Sequence, residues 1–314
     1  MTPLFVSAAE VARLLPYREC IPLMREAMIA LSEGRTAQLL RGILDLPLGR
    51  AFGVMPGALL DDGGFGAKLV SIYPDNFAKG GPSHQGVVVL FDGASGAPAA
   101  VLDAGEITAI RTAAASAAAT DALARPDASR LAILGYGEQA WRHVEAIRLV
   151  RDIERVTVWG RSPAKAEAFA RRAGAGVAAS VEAAVDGADI ICTVTAAAEP
   201  ILFGRWVADG CHVNAVGSGR AGPAEIDNAL VARSRFIADH RDGVLAQGAE
   251  FLRARAAGLV GDDHVLGEIG EVMAGRLAGR RGAGDVTVYK SLGSIVQDLA
   301  AARHILGKLH ETAI

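Results

Sequence analysis

Apolar residues recur at helical spacing through the first thirty or so positions, starting just after Ser7 and Glu10, which have the residue types and spacing of a capping box. This pattern predicts a helix over 7–34. From about residue 37 to 103 the texture changes to short apolar runs split by Gly, Pro and Asp, such as "RGILDLP", "AFGVMPGALL", "GFGAKLVSIYP" and "GVVVLFD". Runs punctuated in this way predict a meander of mostly antiparallel strands, with Gly93–Gly96 turning a hairpin inside "FDGASGAPAAVLD". A helix of small residues, "ITAIRTAAASAAATDALA", then leads to Pro126. From Arg130 the period alternates. Strands are expected at "RLAILG", "RVTVWG", "DIICTVT", "CHVNAVG", "RFIADH" and "DVTVYKS", and helices over 138–150 and at "SPAKAEAFARRAG" and "SVEAAVDGA". Alternation of this kind predicts a parallel, doubly wound sheet. A last helix, about 292–309, is apolar on one face and is expected to pack back on the first domain. The fold class is therefore α/β, with a doubly wound domain over 119–292 and a discontinuous α+β domain from 1–118 and 293–314.

The first strand of the alternating region ends in Gly135 and Gly137, in the order G-x-G-x-x-A, with a helix directly behind them. Gly135 allows the tight turn, Gly137 lets a diphosphate approach the backbone, and Ala140 allows close packing of helix on strand. The amides at the helix start then face an anion. Three small residues at this spacing also occur in purely steric turns, but here the strand, the helix and a second strand about twenty residues on are all present, as a dinucleotide site requires. That second strand ends in "VTVWGRSPAK", with Arg161 and Ser162 where an NAD site places a carboxylate for the ribose diol. A guanidinium and a hydroxyl suit a 2′-phosphate, so NADP(H) is expected over NAD(H), which stays possible.

Composition narrows the function classes. The net charge of −3 and the 5% aromatic content argue against a nucleic-acid surface. No apolar stretch reaches the length of a membrane span, and Glu10 and Pro16 interrupt any signal-peptide core, so a cytoplasmic protein is expected. Cys20, Cys192 and Cys211 are too scattered for a disulfide framework or a zinc site, and the seven histidines show no metal spacing. The order in "AVGSGRAG" is not that of a nucleophile elbow. Three cations do stand in apolar settings: Arg41 before a strand, Lys68 inside "FGAKLVSIYP" and Arg111 in the Ala-rich helix. Each alone is most often a snorkelling surface residue. Together, read as three cations without neighbouring carboxylates, they suggest a site for a small carboxylate.

The stretches "KLVSIYPDN", "HQGVVVLFDGASGAPAAVLDAGEITAIRTAAASAAAT", "ILGYGEQA", "NAVGSG" and "VTVYKSLGSIVQDLAAA" resemble the ornithine cyclodeaminase/mu-crystallin family, in the family's order and over nearly the whole chain. The run around Arg111–Ala114 is specific to it. The resemblance implies a homodimer whose first domain binds substrate and forms the dimer contact, and whose second is a Rossmann domain. It places Arg41, Lys68 and Arg111 at positions that hold a substrate carboxylate or line the active site, with Lys68 as an acid/base. Thr112, Gly137, Glu138, Gln139, Arg161, Ser162, Thr195, Val216 and Ser291 fall at cofactor-contacting positions.

One departure from the pattern matters. Cyclodeaminases of the family carry an Asp base and an assisting Lys after the "NAV" strand, where this chain has Gly219 and Pro223 in "NAVGSGRAGP". Ketimine reductases of the mu-crystallin type also lack that Asp. The resemblance thus implies reduction of a small 2-imino acid such as pyrroline-2-carboxylate. The alternatives are ornithine cyclodeaminase or alanine-dehydrogenase-like deamination and, in another class, a non-catalytic binder of NADP or a small ligand.

Overall fold

A computed structural model describes residues 2–61, 63–79 and 81–311. The chain forms two compact units, Met1–Thr112 with Ser294–Ile314, and Ala113–Gly293.

The first unit opens with β1 (Leu4–Val6) and then not one helix but two, α1 (Ala8–Leu14) and α2 (Tyr17–Ser32). The capping box of Ser7 and Glu10 is present. Pro16 breaks the helix expected over 7–34, because its ring fixes φ and it has no amide to continue the ladder; it becomes the N-cap of α2. The meander follows as β2 (Thr36–Gln38), β3 (Gly42–Leu46), β4 (Arg50–Leu59), β5 (Gly64–Ile72), β6 (His84–Phe91) and β7 (Pro98–Asp103). The sheet order is β1-β7-β6-β5-β4-β2, with β3 also on β4. All pairs are antiparallel except β1, which lies parallel to β7. Registers Met55↔Lys68, Lys68↔Val88 and Val88↔Leu102 set these four side chains in a row on one sheet face. All four are buried there, with the C-terminal helix Ile295–Glu311 packed on the sheet. α3 (Ala104–Leu123) leaves β7 directly and carries Arg111; the division between the units falls after Thr112.

The second unit is a parallel sheet of β8 (Arg130–Leu134), β9 (Arg155–Trp159), β10 (Gly176–Val177), β11 (Ile190–Thr193), β12 (His212–Ala215), β13 (Arg235–Ala238), β14 (Val265–Glu268) and β15 (Thr287–Lys290). The strand order is β10-β9-β8-β11-β12-β15-β13-β14. It reverses direction at β8, the topological switch point at which doubly wound sheets bind ligands. α4 (Glu138–Ile147) follows β8 and α5 (Pro163–Ala173) follows β9. The central strands β8, β11, β12, β13 and β15 are buried on both faces, as a covered parallel sheet requires, and Ala132, Leu134, Ile191, Val213, Phe236 and Val288 belong to one core. No described helix is long and apolar enough to cross a membrane.

Candidate functional site

The row of inward residues explains Lys68. It sits in the middle of β5, 5% exposed, where its register neighbours are Met55 and Val88. An ammonium in that position needs a partner. The partner is Asp298, on the first turn of the C-terminal helix and fully buried, which accepts from Lys68 Nζ at 2.8 Å. Arg111, 4% exposed, donates from Nε to the other oxygen of Asp298 at 3.0 Å and from Nη1 to Gln297 Oε1 at 2.8 Å. Asp298 therefore bridges the two cations. For Lys68 and Arg111 this overturns the expectation that the three cations lack a neighbouring carboxylate. The carboxylate lies 230 residues beyond Lys68 and 187 beyond Arg111, out of reach of any reading of local sequence.

Burial pushes the Lys68 ammonium down to about 8; Asp298 opposes that shift, and Arg111 and Arg41 add to it. Burial alone would raise the Asp298 carboxyl, but Arg111 and Lys68 overcome it and hold the group below the usual carboxylate range. The half-buried Arg41 precedes β3 and is close enough to act on Lys68. Lys68 and Arg111 share the one carboxylate of Asp298, which leaves a net positive charge in a nearly dry place. Among the described residues Arg111 Nη2 makes no hydrogen bond, so one edge of a guanidinium already fixed by two bonds can receive an anion.

The second unit presents the glycine turn. Gly135 takes φ +127, and a Cβ there would lie 2.8 Å from the Val194 carbonyl oxygen, so a side chain is excluded on both counts. Gly137, the N-cap of α4, faces open space: a Cβ would meet nothing within 4 Å. Glu138 is exposed on the first turn of α4, drawn toward Arg142, whereas Gln139 Oε1 is buried with no hydrogen-bond partner among the described residues. An open backbone turn at a helix N-terminus beside an orphaned acceptor fits a dinucleotide diphosphate and ribose. The ring of Tyr136 packs on Gly160, where a Cβ would come within 2.1 Å of it, and this sets the end of β9 beside the turn. Arg161 is exposed there without an ion pair among the described residues, and the Ser162 hydroxyl is not used to cap α5.

The remaining expected cofactor positions scatter along the strand ends. Val216 and Thr195 are half-buried after β12 and β11, Ser291 is buried after β15, and Thr112 is buried in α3. All three cysteines are buried and unpaired, and burial pushes each thiol up to about 12. Among the described residues no group of three or more His, Cys, Asp or Glu is placed to hold a metal. Sequence reasoning missed Asp298, and it also missed Glu225, Glu250 and Lys290, which are fully buried in the second unit. Lys290 gave the same signal as Lys68, a cation inside the apolar run "VTVYKS".

The family model described as the ornithine cyclodeaminase/mu-crystallin family matches residues 1–313. The ketimine reductase mu-crystallin of Mus musculus is 39% identical over 308 residues, covering 96% of this chain and 96% of that protein. The Delta(1)-pyrroline-2-carboxylate reductase of Paracoccus denitrificans (strain Pd 1222) is 34% identical over 289 residues, 90% of this chain and 91% of that one. Among solved structures, the Thermococcus litoralis Delta(1)-pyrroline-2-carboxylate reductase in complex with NADH and L-proline superposes with a TM-score of 0.94 at 31% identity. It covers 99% of this chain and 98% of that chain.

Proposed function

The chain belongs to the ornithine cyclodeaminase/mu-crystallin family, and from that premise we propose that it is a nicotinamide-dependent oxidoreductase that reduces the C=N bond of a small cyclic 2-imino acid such as pyrroline-2-carboxylate. The observation that carries this reading is the cluster of Lys68, Arg111 and Asp298. Arg41 and Arg111 would hold the substrate carboxylate, and Lys68, its proton loosened by burial, would protonate the imine nitrogen. Asp298 keeps both cations in place. The dinucleotide would rest on Gly135–Gln139, with Thr112, Thr195, Val216 and Ser291 as further contacts. Held there, a reduced nicotinamide would supply the hydride for C2 of the imine; Lys68 would supply the proton for its nitrogen, so that the C=N bond becomes the CH–NH of the cyclic amino acid against oxidation of the nicotinamide.

Gly219 and Pro223 supply no acid or base on the segment after β12, so deamination of ornithine lacks the group the family uses for it. Purified protein is expected to oxidise NADPH with pyrroline-2-carboxylate, producing proline one for one, and to release no ammonia from L-ornithine. Absence of the first reaction, or robust ammonia release, refutes the reading.

For the cofactor, Arg161 and Ser162 support NADP(H) over NAD(H). Arg161→Asp turns an attraction for the 2′-phosphate into a repulsion, and is expected to weaken NADPH by about tenfold or more with little effect on NADH. Equal affinities of the unmutated protein for the two nucleotides would count against the preference.

A homodimer is proposed as well. The face of the first sheet opposite Lys68 carries Phe65, Leu69, Val87, Val89, Phe91 and Val101, none of them buried, with Phe65 and Phe91 stacked at 5.3 Å. A contiguous apolar sheet face of this size, continued by Phe5 on β1 at 75% exposure, marks an association surface. A second copy of the same face would cover it isologously. Sedimentation is expected to give twice the monomer mass, and Val89→Asp to shift it toward the monomer; a monomeric unmutated protein rules the dimer out. The three reduced cysteines fit the cytoplasm.

A further inference from the structure

Glu225 lies on the segment between β12 and β13 and is fully buried. Its Oε1 accepts from the amide and the hydroxyl of Thr195, both at 2.6 Å, and its Oε2 from the amide of Gly217 at 2.7 Å. One carboxylate thus ties together the segments that leave β11 and β12. The fit is close: a Cβ at Gly217 would stand 2.2 Å from the Thr195 carbonyl oxygen and 2.5 Å from Glu225 Cδ. The amide of Glu225 donates to Glu250 Oε1 at 3.1 Å. Glu250 pairs with Lys290 at 2.7 Å, and Lys290 Nζ donates to the Ser218 carbonyl at 2.7 Å. The ends of β11, β12 and β15 are therefore joined through three charged side chains, none of which reaches solvent.

Apolar packing would hold those segments together at lower desolvation cost. What a buried network of hydrogen bonds and an ion pair adds is a single register for the groups it touches. The segments concerned are the carboxyl ends of the strands on the far side of the switch point from β9, where the half of a dinucleotide beyond the diphosphate lies. We propose that Glu225, supported by Glu250 and Lys290, is the positioning residue for the nicotinamide, fixing the backbone of Thr195 and of Val216–Ser218 against which that ring is held. The inference rests on the dinucleotide reading above.

Glu225→Gln tests it, since an amide cannot accept from both Thr195 and Gly217: its NH₂ must oppose one of those donors, and that segment is displaced. The readouts are the affinity for NADPH, the fluorescence of the bound nicotinamide and turnover with pyrroline-2-carboxylate. Affinity is expected to stay within about tenfold, because the diphosphate turn is untouched. The bound nicotinamide emission should revert toward that of free NADPH, and turnover should fall by about 10²-fold, the scale of a slight misplacement of reacting groups. Glu225→Asp, which keeps every acceptor, should recover part of both. If Glu225→Gln does not fold, Glu250→Gln, which acts on Glu225 through its amide, should shift the emission in the same direction by less. Unaltered emission and turnover in the variant that folds overturn the proposal, as does a lowered melting temperature with both unaltered. Unmutated protein that binds NADPH but reduces no imino acid refutes the proposed activity alone, and the emission then still decides the role of Glu225.

Discussion

Lys68→Met is expected to lower kcat for the cyclic 2-imino acid by about 10²–10⁴-fold, the range that a positioned general acid contributes. NADPH affinity should change little, since the glycine turn and Arg161 lie in the other unit. The physical basis is the compromise at Lys68: burial favours the neutral amine, Asp298 favours the ammonium, and the balance sits at about 8 instead of 10.5. A proton donor must carry its proton, so kcat/KM should hold below that value and fall as pH rises through about 8. In Lys68→Met this alkaline limb should vanish together with most of the activity. Lys68→Arg should also fail, because a guanidinium keeps the charge but does not release the proton. A profile of the unmutated protein that stays flat through pH 8 would remove Lys68 from the chemistry.

The way the chain reveals this site, and hides half of it, follows from what sequence separation does and does not carry. The glycine turn was legible because its parts are contiguous: strand, Gly135, Gly137, helix and the Arg161–Ser162 end of the next strand all lie within one βαβ unit. The cations were legible one at a time, because a Lys in the middle of an apolar strand and an Arg in an Ala-rich helix are costly and need a reason. Their partner was not. Asp298 stands in "SIVQDLAAA", where an acidic residue near the start of a helix reads as ordinary N-terminal dipole compensation. Only folding brings that turn onto β5 and α3. Glu225 is hidden in the same way: in "AGPAEIDNAL" it looks like a solvated loop residue ahead of a cap, yet its side chain ends at the amides of Thr195 and Gly217, just past β11 and β12. The fold errors have local causes. Pro16 split a helix whose apolar spacing ran straight through it, and β14, with a glycine inside "VLGE", was too short and too weakly patterned to register as a strand.

Because Asp298 holds both buried cations, its replacement should be felt twice. Asp298→Asn keeps the shape but leaves Lys68 and Arg111 facing a neutral amide, and breaking a buried pair from one side typically costs about 3–5 kcal/mol. The melting temperature should fall accordingly. Asp298 is also the largest influence raising the Lys68 pKa, so in the variant that pKa should move further below about 8 and the alkaline limb of kcat/KM should shift to lower pH. The sign separates this from a general loss of fold, which would lower activity at every pH without moving the limb. The double variant Lys68→Met/Asp298→Asn should be less destabilised than the sum of the two single changes, because removing both partners leaves only Arg111 to be satisfied. Additive losses in that cycle, with an unmoved pH profile in Asp298→Asn, would show that the bridge holds the fold together without tuning the acid.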